Sequence, residues 1–503
     1  MRFNVFLMSL LLILVCVVKS VHSQEYSTYL GYPGKERINQ YFVGKNPAFL
    51  KFSKKDELLG LSVGFNNSKG FFKGFLDPEQ ESKYLLSATG KKSIEENQYF
   101  KGSFNIVRHE RQNWDWIFVR EYDKNIFLLG DSTTGNSRFT GILLNSEYSL
   151  RIANNYLLGV NLDYLVDEGI KEVSPRPTSE YRYIDVTLGA GYDGIKGVSL
   201  GIKGNIIDKT EKIVYQEDEG ALTTETIILK FRGYDYPNVF RKKSEVRYSY
   251  INQYLGQFDY TINAVENMLI TGYVNSGAEN SVVKDNSINP ESDGYFQSKL
   301  VSAGLIGNYT ITSSWNTGLS FEVLRNERWG KSSKYNVLYY EDSDECEKIQ
   351  VSCEYILDRK TSFTIEIEGY LNRNDMSDYY SDISYANKSN LISGAIGVNH
   401  EISEGFRTAF IYQYSENRIS AENVKSGQSS NYFSDYRIRD IYFRGTNYST
   451  HKGKLIINLS KFPGGDLSLF AQYGIMIPQR NSHFSGKRRN ELDMFLEYKI
   501  NVF

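Results

Sequence analysis

Met494-Phe-Leu-Glu-Tyr-Lys-Ile-Asn-Val-Phe503 closes the chain. Met494, Leu496, Tyr498, Ile500 and Val502 occupy every second position, with Glu497, Lys499 and Asn501 between the later ones. A period of two is that of a β-strand, whose side chains leave by opposite faces in turn. Any half-buried antiparallel strand alternates this way, so the stretch acquires meaning from the rest of the chain.

The same alternation recurs throughout. Leu158, Val160, Leu162 and Tyr164 interleave with Gly159, Asn161 and Asp163, and Ile184 to Tyr192 repeat the pattern around Asp185, Thr187, Gly189 and Gly191. Val198, Leu200 and Ile202 oppose Ser199, Gly201 and Lys203, and Phe363, Ile365 and Ile367 oppose Thr364, Glu366 and Glu368. This is the strand signature, not the helical one. No Pro- or Ser-rich linker divides residues 57–503, so a string of small β-sandwiches is disfavoured. Short connections at Ile152-Ala-Asn-Asn155 and Asp193–Gly197 alternate with long polar ones expected at Ile207–Thr223, Ser276–Ser292 and Ser415–Asn431. The reading is an all-β, single antiparallel transmembrane β-barrel of about 14–18 strands with long extracellular loops. In it the apolar terminal set faces lipid, and a strand ending in Phe503 is the usual close of a Gram-negative outer-membrane barrel. The phase is unusual, because Phe503 shares its face with Asn501 and Lys499. Either a bulge precedes it or the closing signal is a variant one.

The N-terminus agrees. Arg2 precedes an apolar run, Val5–Val18, and Val21-His22-Ser23 suits a cleavage site, so residues 1–23 read as a signal peptide. Val15 before Cys16 does not fit a lipoprotein signal. The mature chain has no further long apolar stretch. It carries 56 basic and 60 acidic residues once Arg2 and Lys19 are removed, a net charge of −4, which excludes a nucleic-acid groove. The 39 Tyr and 29 Phe suit sheet surfaces and the wet edge of a bilayer, and a strand gives only half its residues to lipid, so polar average hydropathy is no obstacle. Residues 24–56 alternate little and are expected to form a plug or a periplasmic arm ahead of a barrel over 57–503. Cys346 and Cys353 remain after export. Two readings stand, a small loop disulfide or two thiols near the start of one strand.

Tyr99-Phe-Lys-Gly-Ser-Phe104, Trp114-Asp-Trp116, Gly130-Asp-Ser-Thr-Thr-Gly135, Tyr148, Leu158-Gly159, Asp163-Tyr164, Ser174-Pro-Arg-Pro177 and Gly189-Ala-Gly-Tyr192 form an ordered set. In it the chain resembles an uncharacterised family of outer-membrane β-barrel proteins of Bacteroidetes-type bacteria. The resemblance implies location and fold, and no chemistry. Asn46-Pro-Ala48 is similar to a tripeptide of the long-chain fatty-acid transporter family, whose barrels hold an N-terminal plug and take up hydrophobic compounds.

Several motifs carry residue types suited to chemistry. Gly130, Asp131 and Gly135 sit in a phosphate-loop-like spacing without the Lys such a loop needs, so a turn or periplasmic-side constriction is expected. Pro175 and Pro177 hold Arg176 out from a loop, toward Asp131, toward a lipid phosphate, or only as part of a rigid connection. Trp114-Asp-Trp116 reads as interface girdle, or as a stacking platform for a sugar or aromatic ligand. The mature histidines, His109, His400, His451 and His483, belong to no Gly-x-Ser-x-Gly or His-Glu-x-x-His motif, so neither an enzyme nor a cofactor or metal site is expected. Candidate lumen-lining residues are Asp185, Lys203, Glu366, Glu368, Glu497 and Lys499. The expected role is a channel or transport-associated barrel for a small solute or nutrient, or a non-conducting component of a surface uptake complex. The expected partners are outer-membrane lipid and, through the last strand, the barrel assembly machinery.

Overall fold

The computed structural model describes residues 44–501 except 54–57, 123–125, 217–225, 234–236, 243, 266, 287–290, 334–335, 426–438, 463 and 481. The expected signal peptide, most of segment 24–56 and the terminal Val502-Phe503 lie outside the described residues.

Twenty strands are described. The first seven are β1 (Leu58–Gly70), β2 (Gln80–Glu95), β3 (Gln98–Ile117), β4 (Phe127–Ala153), β5 (Tyr156–Lys171), β6 (Thr178–Ile195) and β7 (Val198–Gln216). A short pair, β8 (Thr226–Arg232) and β9 (Asn238–Lys242), precedes β10 (Ser244–Val265), β11 (Met268–Asp285), β12 (Glu291–Thr312) and β13 (Trp315–Ser332). Then come β14 (Leu338–Ile356), β15 (Thr361–Asp378), β16 (Ile383–Ser403), β17 (Phe406–Lys425), β18 (Tyr448–Phe462), β19 (Gly465–Pro478) and β20 (Arg489–Asn501). Each long strand pairs antiparallel with the next. β7 skips the short pair to join β10, and β20 returns to β1 from Leu58↔Asn501 to Gly70↔Arg489. The result is a closed, all-β antiparallel barrel of 18 strands, within the expected range.

Turn chemistry separates the two ends. Connections at 154–155, 196–197, 313–314 and 404–405 are short, and Gly197 (φ 77°) and Gly405 (φ 86°) take the left-handed conformation that tight hairpins demand. At the opposite ends parts of the expected long loops are strand, while 217–223, 287–290 and 426–431 lie outside the described residues. Ile207–Gln216 continues β7, Ser276–Asp285 continues β11, and Ser415–Lys425 continues β17. These stretches look like loops because they lack an apolar face, yet neighbouring strands satisfy their backbone. β4 runs for 27 residues, well beyond the roughly 9–11 a bilayer requires.

The outer face carries a belt. Val198–Ile206 on β7 ends at Asp208, Trp315–Val323 on β13 at Arg325, and Phe363–Leu371 on β15 at Arg373. Within these runs Ile202, Ile206, Trp315, Ile365, Ile367 and Leu371 are exposed. Nine residues cover roughly 30 Å of strand at about 3.3 Å each, and roughly 23 Å of axis at a tilt of about 40°. That is close to the apolar height of about 25 Å in outer-membrane barrels. Aromatic pairs rim the short-turn side, with ring centroids 5.1 Å apart for Tyr156–Tyr192, 4.7 Å for Trp315–Tyr355 and 6.0 Å for Phe462–Tyr498.

In the terminal strand Met494 and Leu496 face out while Phe495 and Glu497 are buried on the inner side. Its register with β1 and β19 has no irregularity through Asn501, so a bulge, if there is one, falls outside the described residues. The disulfide reading is overturned. Cys346 and Cys353 are both free and lie on one strand, β14. Seven residues separate them by roughly 23 Å, far beyond disulfide reach, and the odd offset puts them on opposite faces. Denatured without reductant, the mature chain is expected to react with two equivalents of a maleimide. A mass without thiol adducts would overturn the assignment.

Candidate functional site: the packed interior of the barrel

The plug at the long-strand end begins in the ladder itself. β3 loses register with β4 at Arg111/Trp114 and again at Asp115/Ile117, and Asn113 (φ 48°) and Trp116 (φ 65°) are left-handed. Extra residues on one strand bend it, and here the bend turns the end of β3 into the barrel. Trp114, Ile117 and Phe118 are thereby fully buried, together with Leu129, Tyr215, Ile228 and Phe231. β8 pairs with the first residues of β4, from Phe127↔Arg232 to Asp131↔Ile228, and so forms an inner layer, while Asn238–Arg241 of its partner β9 are exposed. Each buried Phe, Ile or Leu contributes about 1.5–3 kcal/mol, enough for these pieces to cohere as one body.

Charged groups tie that body to the wall. Lys230 of β8 donates to Glu245 at 2.7 Å and to Asp285 at 2.6 Å. Arg247 of β10 binds Asp285 at 2.7 and 2.9 Å, Asp293 at 2.7 Å, and the Phe127 carbonyl at 3.3 Å. Asp293 also accepts from Arg232 of β8, through Nε at 3.1 Å. Asp285 and Asp293 therefore bridge hairpin cations to a wall cation, and all of Lys230, Glu245, Arg247, Asp285 and Asp293 are buried. On the other flank Lys171, wholly buried, donates to both Asp131 oxygens at 2.9 Å.

A second cluster pins the β3–β4 connection. The Arg111 guanidinium lies 4.4 Å from the Trp114 ring and 5.1 Å from Phe139, and donates to the carbonyls of Val119 (3.2 Å) and Arg120 (3.0 Å). Arg120 binds Asp167 at 2.7 Å and His109 at 2.9 Å, and His109 meets Glu81 at 2.6 Å. Trp114 Nε1 donates to the Leu76 carbonyl at 2.8 Å, and Tyr122 to Asp77 at 2.8 Å. Burial and the neighbouring Asp77 hold the Tyr122 hydroxyl well above its ordinary pKa, and burial lowers that of the Lys73 ammonium. Phe72 completes the cover, with its ring 5.0 Å from Phe443 and 5.3 Å from Phe484. A cavity remains beneath, lined by Glu121, Phe127, Tyr181, Lys209, Glu211 and Arg247.

Nearer the short turns, residues 44–53 sit against the inner wall. Asn46 caps the 3-10 turn Pro47–Phe52, its side chain accepting from Ala48 N at 3.1 Å with Pro47 at the first turn. The Asn46 amide also donates to the Ile202 carbonyl (3.1 Å), the Ala190 carbonyl (3.4 Å) and Asp259 (3.1 Å). Glycines make the room. A Cβ on Gly189 would lie 2.1 Å from Asn46 Oδ1, and one on Gly159 2.2 Å from Ala48 N. Ser149 donates to the Ala48 carbonyl at 2.8 Å, and Lys51 pairs with Asp193. Burial pulls the Lys51 ammonium below its ordinary pKa, against the opposing pull of Asp193.

These contacts show which face of the wall is inner. Asp185 shares that face with Gly189, and accepts from Tyr183, Thr187 and Asn205, each at 3.3 Å. Lys203 reaches the Lys45 carbonyl at 3.4 Å. Glu366 and Glu368 alternate with exposed Ile365 and Ile367, and Glu368 takes Lys348 and Tyr370 at 2.6 Å. Glu497 and Lys499 pair at 2.8 Å. All six thus project inward, but they are spread around the wall and form no single cluster.

Three expectations are corrected. Gly130, Asp131 and Gly135 lie within β4 at the long-strand end, not in a turn or on the short-turn side. They read as a loop because Gly and Asp are depleted in strands, whereas Gly130 is needed where Trp116 O would stand 2.2 Å from its Cβ. Asp131 is engaged by Lys171 while Arg176 (φ 50°) is exposed, with Pro175 and Pro177 buried on either side. Trp114 belongs to the plug core, not to a girdle. The four histidines stay apart. His109 is in the plug, His400 meets Thr361 at 3.1 Å, His451 meets Tyr412 at 2.8 Å, and His483 stacks on Tyr442 at 3.9 Å. The clamp of Lys230, Arg247, Asp285 and Asp293 was not singled out in the sequence, since its members are up to 63 positions apart and lie among ordinary surface-like charges.

The family model described as Family of unknown function (DUF6850) matches residues 47–499. The chain belongs to this family. Members of DUF6850 thus include a barrel with an internal plug. No curated protein matches the sequence. Among solved structures the chain is similar to the ferric yersiniabactin uptake receptor FyuA of Yersinia pestis, at 8% identity over 90% of this chain and 81% of that one, TM-score 0.43. It is also similar to the siderophore receptor PiuA of Acinetobacter baumannii (9%, 89% and 82%, 0.39) and to the CymD monoaromatic hydrocarbon channel (8%, 93% and 94%, 0.31). In the structure Asn46-Pro47-Ala48 forms the cap and first turn of Pro47–Phe52. The tripeptide has a local physical reason in the cap and the glycine seat.

Proposed function

We propose that this DUF6850 chain is an outer-membrane, transport-associated barrel that is shut at its extracellular mouth in the resting state. It admits a small solute when the internal plug moves. The long-strand end is taken as extracellular and the short turns as periplasmic. The observation that carries the reading is a polar inner wall combined with a mouth closed by the chain's own folded-in strands. A barrel of this size otherwise leaves an aqueous channel. The solute class favoured is polar, because the inner wall presents Asn161, Asp163, Asp185, Thr187, Asn205 and Lys203.

A second reading, a non-conducting accessory of a surface uptake complex, is favoured by the continuity of the plug with β4, a strand of the wall. Planar-bilayer recording separates them. The wild-type barrel is expected to insert, to show heat-modifiable gel mobility, and to pass almost no current. Steady porin-like conductance overturns the sealed state. Silence after the plug has been shown to leave supports the accessory role instead.

A further inference from the structure

On β10–β13 the outer face changes character just above the apolar belt. Neighbouring strands bring Tyr250 beside Val282, Val282 beside Tyr295, and Tyr295 beside Lys331. The next row runs Asn252, Asn280, Gln297, Trp329. Lys284 stands 5.7 Å from the Tyr250 ring and Lys299 5.7 Å from the Trp329 ring. Trp329 Nε1 donates to Gln297 at 2.8 Å, and Gln297 donates to Asn280 at 2.7 Å. Among the described residues none of Lys284, Lys299 and Lys331 has an ion-pair partner, whereas nearby Arg325 is paired with Glu327 at 2.8 Å. Three rings, three unpaired ammonium groups and a row of amides thus occupy one lipid-side face.

We propose that this face binds the phosphorylated saccharide headgroup of an outer-leaflet glycolipid. Position and charge select that occupant. The patch lies beyond Arg325, where the apolar run of β13 has ended, at the height where acyl chains give way to headgroups. Lysines recognise phosphate as point charges, aromatic faces pack against sugar rings, and the amides supply donors and acceptors for hydroxyls. The acids present, Glu327, Glu341 and Glu345, the last 3.4 Å from Arg325, are outnumbered by Lys284, Lys299, Lys331 and Arg325.

The inference rests on the outer-membrane reading, and the test keeps the two apart. Purified barrel in detergent is titrated with diphosphoryl lipid A or with phosphatidylethanolamine, and retained lipid is read by native mass spectrometry. Wild type is expected to hold diphosphoryl lipid A at least tenfold more tightly than phosphatidylethanolamine. Lys284→Ala/Lys299→Ala/Lys331→Ala is expected to lose that preference while keeping heat-modifiable mobility. Equal retention of lipid A by the triple variant, or no lipid preference in wild type, overturns the headgroup site and leaves the barrel reading intact. A chain that stays monodisperse in buffer without detergent overturns both.

Discussion

Asp285→Asn combined with Asp293→Asn is expected to turn a silent barrel into a conducting one. The two carboxylates stand between Lys230 and Arg232 on the hairpin and Arg247 on the wall. Amides of nearly the same shape remove two of the three negative charges and leave Lys230, Arg232 and Arg247 with Glu245 as their remaining buried anion. Breaking a buried ion pair by removing one partner typically costs about 3–5 kcal/mol, and here the repulsion falls on a contact between plug and wall. The wall itself should survive, because β10 and β11 keep a continuous backbone ladder from Arg247↔Asp285 to Asn263↔Leu269. The hairpin should therefore leave the lumen without unfolding the barrel. Stepwise conductance is the expected readout, together with new trypsin cleavage after Lys230, which is buried in the native chain. A double variant that stays silent and protease-protected, with normal gel mobility, would overturn the clamp.

Gly189→Val tests the other end. Its Cβ would fall 2.1 Å from Asn46 Oδ1, and Gly201 nearby has Asp259 Oδ2 at 2.2 Å, so the wall has no slack for a larger residue. The added side chain should displace Asn46 and forfeit its bonds to Ala190, Ile202 and Asp259. Leaving Asp259 without its Asn46 donor adds a desolvation cost of about 1–3 kcal/mol. The strand pairing of β6 does not need glycine there, and Val favours strands. The expected result is a barrel of normal stability in which trypsin cleaves after Lys51 at least tenfold faster. Slower cleavage in Asn46→Ala than in Gly189→Val would show that hydrogen bonding matters less than space. Unchanged protection in both would refute the seat.

The barrel could be read from residues such as Leu158–Tyr164 and Phe363–Glu368, because alternation is a local property of each strand. Inward placement of Asp185, Lys203, Glu366, Glu368, Glu497 and Lys499 follows from the same parity. The described parts of two expected loops, Ile207–Gln216 and Ser415–Lys425, show where that logic stops. Beyond the apolar belt a strand no longer needs an apolar face, so its sequence looks like a loop while neighbouring backbones keep it extended. Trp114 was misassigned for a related reason. Girdle and core both attract tryptophan, and only the double irregularity of β3 decides between them.

The sequence by itself determined that the chain is one large antiparallel barrel, and which side of each strand faces outward, since period-two patterning needs no partner to be read. Tertiary structure alone decided which groups meet inside the barrel. Asp285 meets Lys230 across 55 positions, and Asn46 meets Asp259 across 213. Such meetings depend on strand order and on the bend in β3, and neither is written in the residues that meet.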